Sequence, residues 1–168
     1  YVALKSNGFT TLEDLSGRSV SVARGTVNVS QINQANREQQ LNLSVVPVET
    51  LQGAFDLVAE GRVAAFAMDD VLLSAMIAES DEPQAYVLSE EAITSTEPLG
   101  FMMRLEDDAF AVEVNKALEH IYTNPEMPLL YYQWFQQPLP GKDITLDIPM
   151  GEVLAEHFTA LRTMALQE

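Results

Sequence analysis

Short apolar runs alternate with amphipathic stretches through the first half of the chain. Ser19–Arg24 alternates polar and apolar residues, and Leu43–Val48 is rich in β-branched residues, so both are predicted to be strands. Val63–Met68 is nearly continuous in apolar residues, which is typical of a strand covered on both faces. Two further short strands are predicted at Val2–Leu4 and Ala85–Leu88.

Between these strands, apolar residues recur at helical spacing. Helices are predicted from about Asn28 to Gln39, from Leu51 to Glu60, and from Asp70 to a point before Pro83. Strand and helix that alternate in this way favour βαβ units. We therefore expect an α/β lobe with Ser19–Arg24 and Val63–Met68 in its central sheet.

The pattern changes after about Leu99. A strand is predicted at Gly100–Arg104, and helices are predicted at Asp107–Tyr122, Pro128–Phe135 and Gly151–Leu166. This second part has helices but almost no sheet, so alone it has little to pack against.

Charge and composition narrow the classes of function. The 168 residues include 25 acidic and nine basic side chains, for a formal charge of −16. Because a nucleic-acid footprint needs a basic stripe, a nucleic-acid partner is not expected. The acidic surface is compatible with a halophilic source, where salt screens self-repulsion, or with a role in solubility alone.

The sequence offers few residues for metal binding and none for thiol chemistry. The absence of cysteine excludes disulfides, thiolate catalysis and cysteine zinc sites. His120 and His157 lie far apart in helix-like stretches, without a metal-ligand spacing. No cofactor or metal is expected. No apolar run approaches the roughly 20 residues that a membrane-spanning helix needs.

Two segments that follow predicted strands are candidate ligand contacts. At Arg24-Gly25-Thr26 a glycine permits close backbone approach, and the start of the next helix attracts an anion. This segment could equally be a structural turn. Asp69 and Asp70 follow Val63–Met68, where ligands of open α/β sheets bind, although both could instead cap a helix. We expect Asp70 to be a capping residue and Asp69 to bind an ammonium group. An α-amino acid carries both charges.

Several segments are similar to those of a known family, namely Leu12–Val22 with Arg24-Gly25-Thr26, Gly61–Leu73, Glu97–Arg104, Trp134-Phe135 and Pro138–Lys142. In collinear order over essentially the whole chain, they resemble family 3 periplasmic amino-acid-binding proteins. The glutamate/aspartate-binding proteins of ABC importers are the most similar members.

The resemblance implies a type II periplasmic-binding-protein fold of two lobes joined by a hinge. Residues 1–98 would form the second lobe, and residues 99–168 the return hinge strand and the C-terminal helices of the first lobe. The N-terminal body of the first lobe would then be missing from this sequence or supplied by a swapped partner chain. Periplasmic export with a signal peptide in the precursor, a free amino-acid ligand and an inner-membrane ABC permease as partner follow from the same resemblance.

The resemblance also implies roles for individual residues. Thr26 matches the position that contacts the ligand carboxylate, with Gly25 beside it, and Asp69 matches the aspartate that binds the α-ammonium. Arg24 replaces a residue that is usually small or uncharged, so it either contacts an acidic ligand side chain or points to solvent. Leu51 or a neighbour stands where some relatives use a histidine.

Two other classes of function stay open. An enzyme similar to the cyclohexadienyl dehydratases would need a general acid near Thr26 or Asp69, and the sequence offers no histidine there. The chain could also be the amino-acid-sensing lobe of a receptor, which a membrane span after the last helix would distinguish. We expect a binding protein and not an enzyme.

Overall fold

The computed structural model describes residues 1–94 and 99–165. The chain divides into two compact units, Tyr1–Thr96 and Glu97–Glu168. Residues 95–98, which include the first two positions of the segment Glu97–Arg104, and the end of the last predicted helix at Leu166 lie outside the described residues.

The described part of the first unit is built on a five-stranded mixed sheet. Its strands, in sheet order, are β3 (Ser44–Val48), β2 (Ser19–Ala23), β4 (Ala65–Ala67), β1 (Val2–Leu4) and β5 (Tyr86–Leu88). β2 runs parallel to β3 and to β4, whereas β1 runs antiparallel to β4 and to β5. The expected central positions of Ser19–Arg24 and Val63–Met68 are confirmed, because β2 and β4 are neighbouring interior strands.

A helix follows each of the three parallel strands. These helices are α1 (Asn28–Glu38), α2 (Leu51–Ala59) and α3 (Asp70–Glu79). Each lies within about two residues of its predicted bounds, because apolar residues at helical spacing locate a helix well while its ends fray. Short 3₁₀ turns occur at Lys5–Asn7, Glu13–Leu15 and Pro83–Ala85.

Both faces of the sheet are covered by apolar residues. Ala65 and Ala67 of β4 belong to a cluster with Ile32 of α1, and Phe66 belongs to a second cluster with Phe55 of α2. All three residues of β4 are buried, which explains why this strand is continuous in apolar residues.

β2 accommodates polar residues although it is an interior strand. The buried Ser21 hydroxyl donates to the Ala54 carbonyl oxygen of α2 at 2.9 Å. The polar position of the alternating pattern is therefore satisfied inside the protein instead of facing water.

The second unit is helical over the residues that the structure describes. It contains α4 (Asp108–Thr123), α5 (Glu126–Phe135) and α6 (Glu152–Ala165). The Tyr122 and Phe158 rings lie 5.9 Å apart and join α4 to α6. Large apolar side chains on all three helices are exposed, namely Phe110, Leu129, Trp134 and Val153. Across the described residues, no helix combines the length and apolar content needed to span a membrane.

The predicted strand at Gly100–Arg104 is wrong. Residues 99–104 have no regular secondary structure, and Met102 is 98% exposed. A strand forms only when its backbone groups hydrogen-bond to a neighbouring strand, and the described residues of this unit contain none to pair with. The apolar sequence of the segment alone cannot supply that partner.

Candidate functional site

The two predicted ligand segments lie at the same edge of the sheet. β2 and β4 are parallel and adjacent, with Val22 the register partner of Ala67. Their carboxyl ends therefore meet at one edge, and Gly25-Thr26 and Asp69 follow them directly. In open α/β sheets this edge is where ligands bind.

Gly25 forms the turn between β2 and α1. Its φ of +79° lies in the left-handed region, which glycine adopts without strain. A Cβ at this position would meet nothing within 4 Å, so the backbone angle and not the space accounts for glycine here. The turn brings the start of α1 to the edge, where the first backbone N–H groups of a helix attract an anion.

The Thr26 hydroxyl is used to close this turn. Thr26 Oγ1 donates to the Ala23 carbonyl oxygen at 2.8 Å. A hydroxyl that donates in this way still has lone pairs with which to accept a hydrogen bond.

Asp69 and Asp70 differ in what their carboxylates do. Asp69 occupies the N-cap position of α3, yet its side chain makes no capping hydrogen bond. Its Oδ1 instead accepts a hydrogen bond from Asn28 Nδ2 at 3.1 Å. Asp70 Oδ1 accepts from the Val71 backbone N–H at 2.7 Å, within the first turn of its own helix. Asp70 was expected to cap the helix, but it is the first residue of α3 and contacts only the next backbone N–H, whereas Asp69 holds the N-cap position and is directed across to α1.

Asn28 is a site residue that the sequence interpretation missed. It is the first residue of α1, and its Nδ2 bridges Asp69 Oδ1 and, at 3.2 Å, Gln31 Oε1. Asparagine is common at helix starts as a cap, so its presence there carried no specific signal. Its link to Asp69 joins residues 41 positions apart in the chain.

Arg24 forms an ion pair that the sequence interpretation also missed. Arg24 Nε lies 2.8 Å from Glu49 Oε1, and the two side chains are 61% and 78% exposed. Glu49 directly follows β3, the strand on the other side of β2. Arg24 was expected either to contact the ligand or to point to solvent. The structure adds a third possibility, because Arg24 pairs with the Glu49 carboxylate.

Leu51 offers no polar contact to a ligand. It begins α2, whose N-cap Thr50 accepts from the Gly53 backbone N–H at 3.0 Å. The Leu51 side chain is half-buried and packs against the cluster that contains Phe55. It therefore contributes to the core beneath the edge.

Both histidines belong to the second unit. His120 lies on α4, where its Nδ1 is 3.2 Å from Asn124 Nδ2, and His157 lies on α6. Within residues 1–94 and 99–165, no group of three or more histidine, aspartate or glutamate side chains is arranged to hold a metal ion.

The edge therefore combines opposite polarities over a short distance. The start of α1 attracts a carboxylate, and the exposed Asp69 carboxylate attracts an ammonium group. The Arg24–Glu49 pair adds one charge of each sign beside them. This arrangement fits a zwitterion.

The chain is similar to known amino-acid-binding proteins. No protein-family model matches the chain. It is 31% identical over 150 residues to the L-glutamate/L-aspartate-binding protein of Pseudomonas aeruginosa, covering 89% of this chain and 49% of that protein. It is 25% identical over 162 residues to the glutamate/aspartate import solute-binding protein of Escherichia coli, covering 96% of this chain and 53% of that protein.

Solved structures share the fold. An ancestral arginine-binding protein bound to arginine matches with a TM-score of 0.65 and 25% identity, over 80% of this chain and 58% of that one. A probable amino-acid ABC transporter extracellular-binding protein from Bacillus subtilis matches with a TM-score of 0.69 and 15% identity, over 79% and 57% of the two chains.

The fold of the chain is the type II periplasmic-binding-protein fold. Its sequence is similar to those of glutamate/aspartate-binding proteins, as its sequence segments predict. It spans about half the length of the relatives that it matches.

Proposed function

We propose that this chain provides the ligand-binding half of a solute-binding protein that delivers polar or acidic amino acids, with glutamate and aspartate favoured, to an ABC importer. The observation that supports the proposal is the hydrogen bond from Asn28 to Asp69, which brings the Asp69 carboxylate beside the start of α1. A carboxylate and a helix start at one edge complement the two charged ends of an α-amino acid.

Each residue of the edge has a distinct role in the proposal. The backbone N–H groups of Gly25 and Thr26 donate to the ligand α-carboxylate, and the Thr26 hydroxyl donates to it after releasing the Ala23 carbonyl oxygen. Asp69 binds the α-ammonium. Arg24 contacts an acidic ligand side chain after moving away from Glu49, a movement that costs little because the exposed pair is worth at most about 1 kcal/mol.

The preference for acidic ligands rests on the relatives and on Arg24. Two of the matched proteins are named for glutamate and aspartate, whereas one solved structure holds arginine. The Arg24 guanidinium is the cation at this edge that could discriminate a second ligand carboxylate from an amide. Leu51, which packs into the core, does not compete for this role.

The two units correspond in the proposal to parts of two lobes. Residues 1–98 form the second lobe, and residues 99–168 supply the return hinge segment and the C-terminal helices of the first lobe. The exposed large apolar side chains of α4, α5 and α6 support this, since several such side chains on one unit favour burial against further structure. That structure is the remaining body of the first lobe or a swapped partner chain. Ligand binding then proceeds by closure of the lobes.

The proposal places the protein in the periplasm, where it docks on an inner-membrane permease, and assigns it no enzymatic activity. An elimination reaction needs a positioned general acid, and histidine is the commonest group for that task. The first unit contains no histidine.

Isothermal titration of the complete translated protein tests the proposal. Glutamate, aspartate, glutamine and arginine are compared with glutarate, which has both carboxylates of glutamate but lacks the α-ammonium. We expect glutamate or aspartate to bind most tightly and glutarate to bind far more weakly. Binding of none of these compounds would refute the proposed function.

A further inference from the structure

Asn28 is a buried residue whose side-chain amide donates two hydrogen bonds near the edge of the sheet. Only 9% of the residue is exposed. Its Nδ2 donates to Asp69 Oδ1 at 3.1 Å and to Gln31 Oε1 at 3.2 Å. Since α1 begins at Asn28 and α3 begins directly after Asp69, one amide group joins the starts of the two helices beside the site.

The orientation of this amide is fixed by its partners. Reversing the amide would bring Asn28 Oδ1 against Asp69 Oδ1 and against the side-chain oxygen Oε1 of Gln31. None of these three oxygen atoms carries a proton to donate. In the observed orientation Asn28 Oδ1 is buried and has no hydrogen-bond partner among the described residues.

Stability alone does not account for an asparagine at this position. A buried acceptor without a donor disfavours the folded state and offsets part of what the two Nδ2 hydrogen bonds contribute. The useful part of the side chain is therefore its Nδ2 group, which is directed at Asp69.

We infer, on the basis of the proposed function, that Asn28 is a positioning residue that orients the Asp69 carboxylate for the ligand ammonium group. Asp69 is exposed and makes no capping hydrogen bond to α3, so without Asn28 its carboxylate would rotate between orientations. Nδ2 holds Oδ1 and leaves Oδ2 for the ligand. Gln31 holds Asn28 from one turn further along α1.

A double-mutant cycle in the complete translated protein tests this role. We expect Asn28→Ala to weaken glutamate binding roughly threefold to tenfold, because the carboxylate must then be ordered at the moment of binding. In the Asp69→Ala background the same substitution should change the affinity less than about twofold. Glutarate, which has no ammonium group, should bind equally to the parent protein and to Asn28→Ala.

Two further variants separate positioning from a general structural effect. Asn28→Ser keeps a donor and should recover part of the lost affinity. Asn33→Ala is the matched control, because Asn33 lies on the same helix but its Nδ2 donates to the Val29 carbonyl oxygen at 2.7 Å, within that helix. It should leave glutamate affinity unchanged.

Failure of the positioning role of Asn28 gives a different result from failure of the proposed function. If the parent protein binds glutamate but the losses of Asn28→Ala and Asp69→Ala add independently, or if glutarate binding falls equally, Asn28 does not act through Asp69. If the parent protein binds none of the amino acids tested, the proposed function and this inference are both overturned.

Discussion

Arg24 and Glu49 form an ion pair across the ends of two parallel strands, with 2.8 Å between Arg24 Nε and Glu49 Oε1. Arg24 follows β2 and Glu49 follows β3, and the Arg24 backbone N–H also donates to the Val48 carbonyl oxygen at 2.8 Å. The backbone thus fixes the start of the Arg24 side chain, while its exposed guanidinium is shared with a carboxylate. An acidic ligand side chain at this edge would compete with Glu49 for the same cation.

Glu49→Gln should therefore favour acidic ligands. Removing the competing carboxylate should tighten glutamate binding relative to glutamine by roughly twofold to tenfold, and Arg24→Ala should shift the ratio in the opposite direction. Competition titrations of the two ligands measure the ratio. Glu60→Gln is the control, because Glu60 pairs with Arg62 at 3.1 Å in another exposed ion pair, after α2. A ratio that is unchanged in both Arg24 and Glu49 variants would remove this pair from the specificity of the site.

Asp69→Ala should cost far more ligand affinity than Asp70→Ala. Loss of a hydrogen-bonded charge partner of the ligand typically costs about 2–5 kcal/mol. Asp70 contacts the first turn of its own helix, so its loss should cost under about 1 kcal/mol of binding free energy. Calorimetric titration of both variants with glutamate decides between them. Equal losses, or a larger loss for Asp70→Ala, would mean that the ammonium group binds elsewhere.

The 168-residue chain should bind glutamate at least about 100-fold more weakly than the complete translated protein. In the proposed two-lobe protein, closure supplies ligand contacts from both sides and excludes water. One lobe alone makes fewer contacts but still has to order the ligand, so its affinity falls steeply. Side-by-side titrations measure the difference. Sedimentation of the chain with ligand is the control, since a swapped dimer could complete the site. Micromolar binding by a monomer of the chain would contradict the two-lobe proposal.

Phe66→Ala should destabilise the first unit by about 3–5 kcal/mol. Phe66 is fully buried in the central strand and packs in the cluster beneath α2, so its loss leaves a cavity that the sheet cannot close. Urea denaturation followed by circular dichroism gives the free energy of unfolding. Phe101→Ala provides a comparison, because Phe101 is exposed, and should change that free energy by under about 0.5 kcal/mol. Similar losses for both would mean that Phe66 is not in the core.

Asp14 should make the stability of the first unit depend on acid pH. Backbone N–H groups of Thr11 and Thr10 donate to its carboxylate at 2.8 and 2.9 Å and hold its pKa below the ordinary value of 3.8. A lowered pKa in the folded state stabilises the protein above the unfolded pKa, and that contribution disappears as pH falls through the folded value. Asp14→Asn should thus be less stable at pH 7, and the difference from the parent should shrink below about pH 4.

Urea unfolding at several pH values between 7 and 2.5 measures this difference. Glu13→Gln, which removes a neighbouring carboxylate from the same 3₁₀ turn, controls for the change in net charge. A difference between Asp14→Asn and the parent that stays constant with pH would show that these hydrogen bonds do not depend on the carboxylate charge.

The sequence by itself determined the elements of the first unit and the location of its candidate site. Strands such as Ser19–Ala23 and helices such as Asn28–Glu38 follow from apolar periodicity, which is a local property of the chain. The positions of Gly25 and Asp69 after predicted strands were likewise readable, because ligand sites of α/β sheets lie at strand ends. The similarity to amino-acid-binding proteins was visible in short segments of the same regions.

Only the tertiary structure decided which strands and side chains are partners. The antiparallel insertion of β1 between β4 and β5, the hydrogen bond from Asn28 to Asp69 and the pair of Arg24 with Glu49 each join residues distant in sequence or on different elements. Residues 99–104 lack a strand for the same reason. Periodicity reports which face of a segment is apolar, but a hydrogen bond between strands or side chains depends on a partner whose position is fixed only when the chain folds.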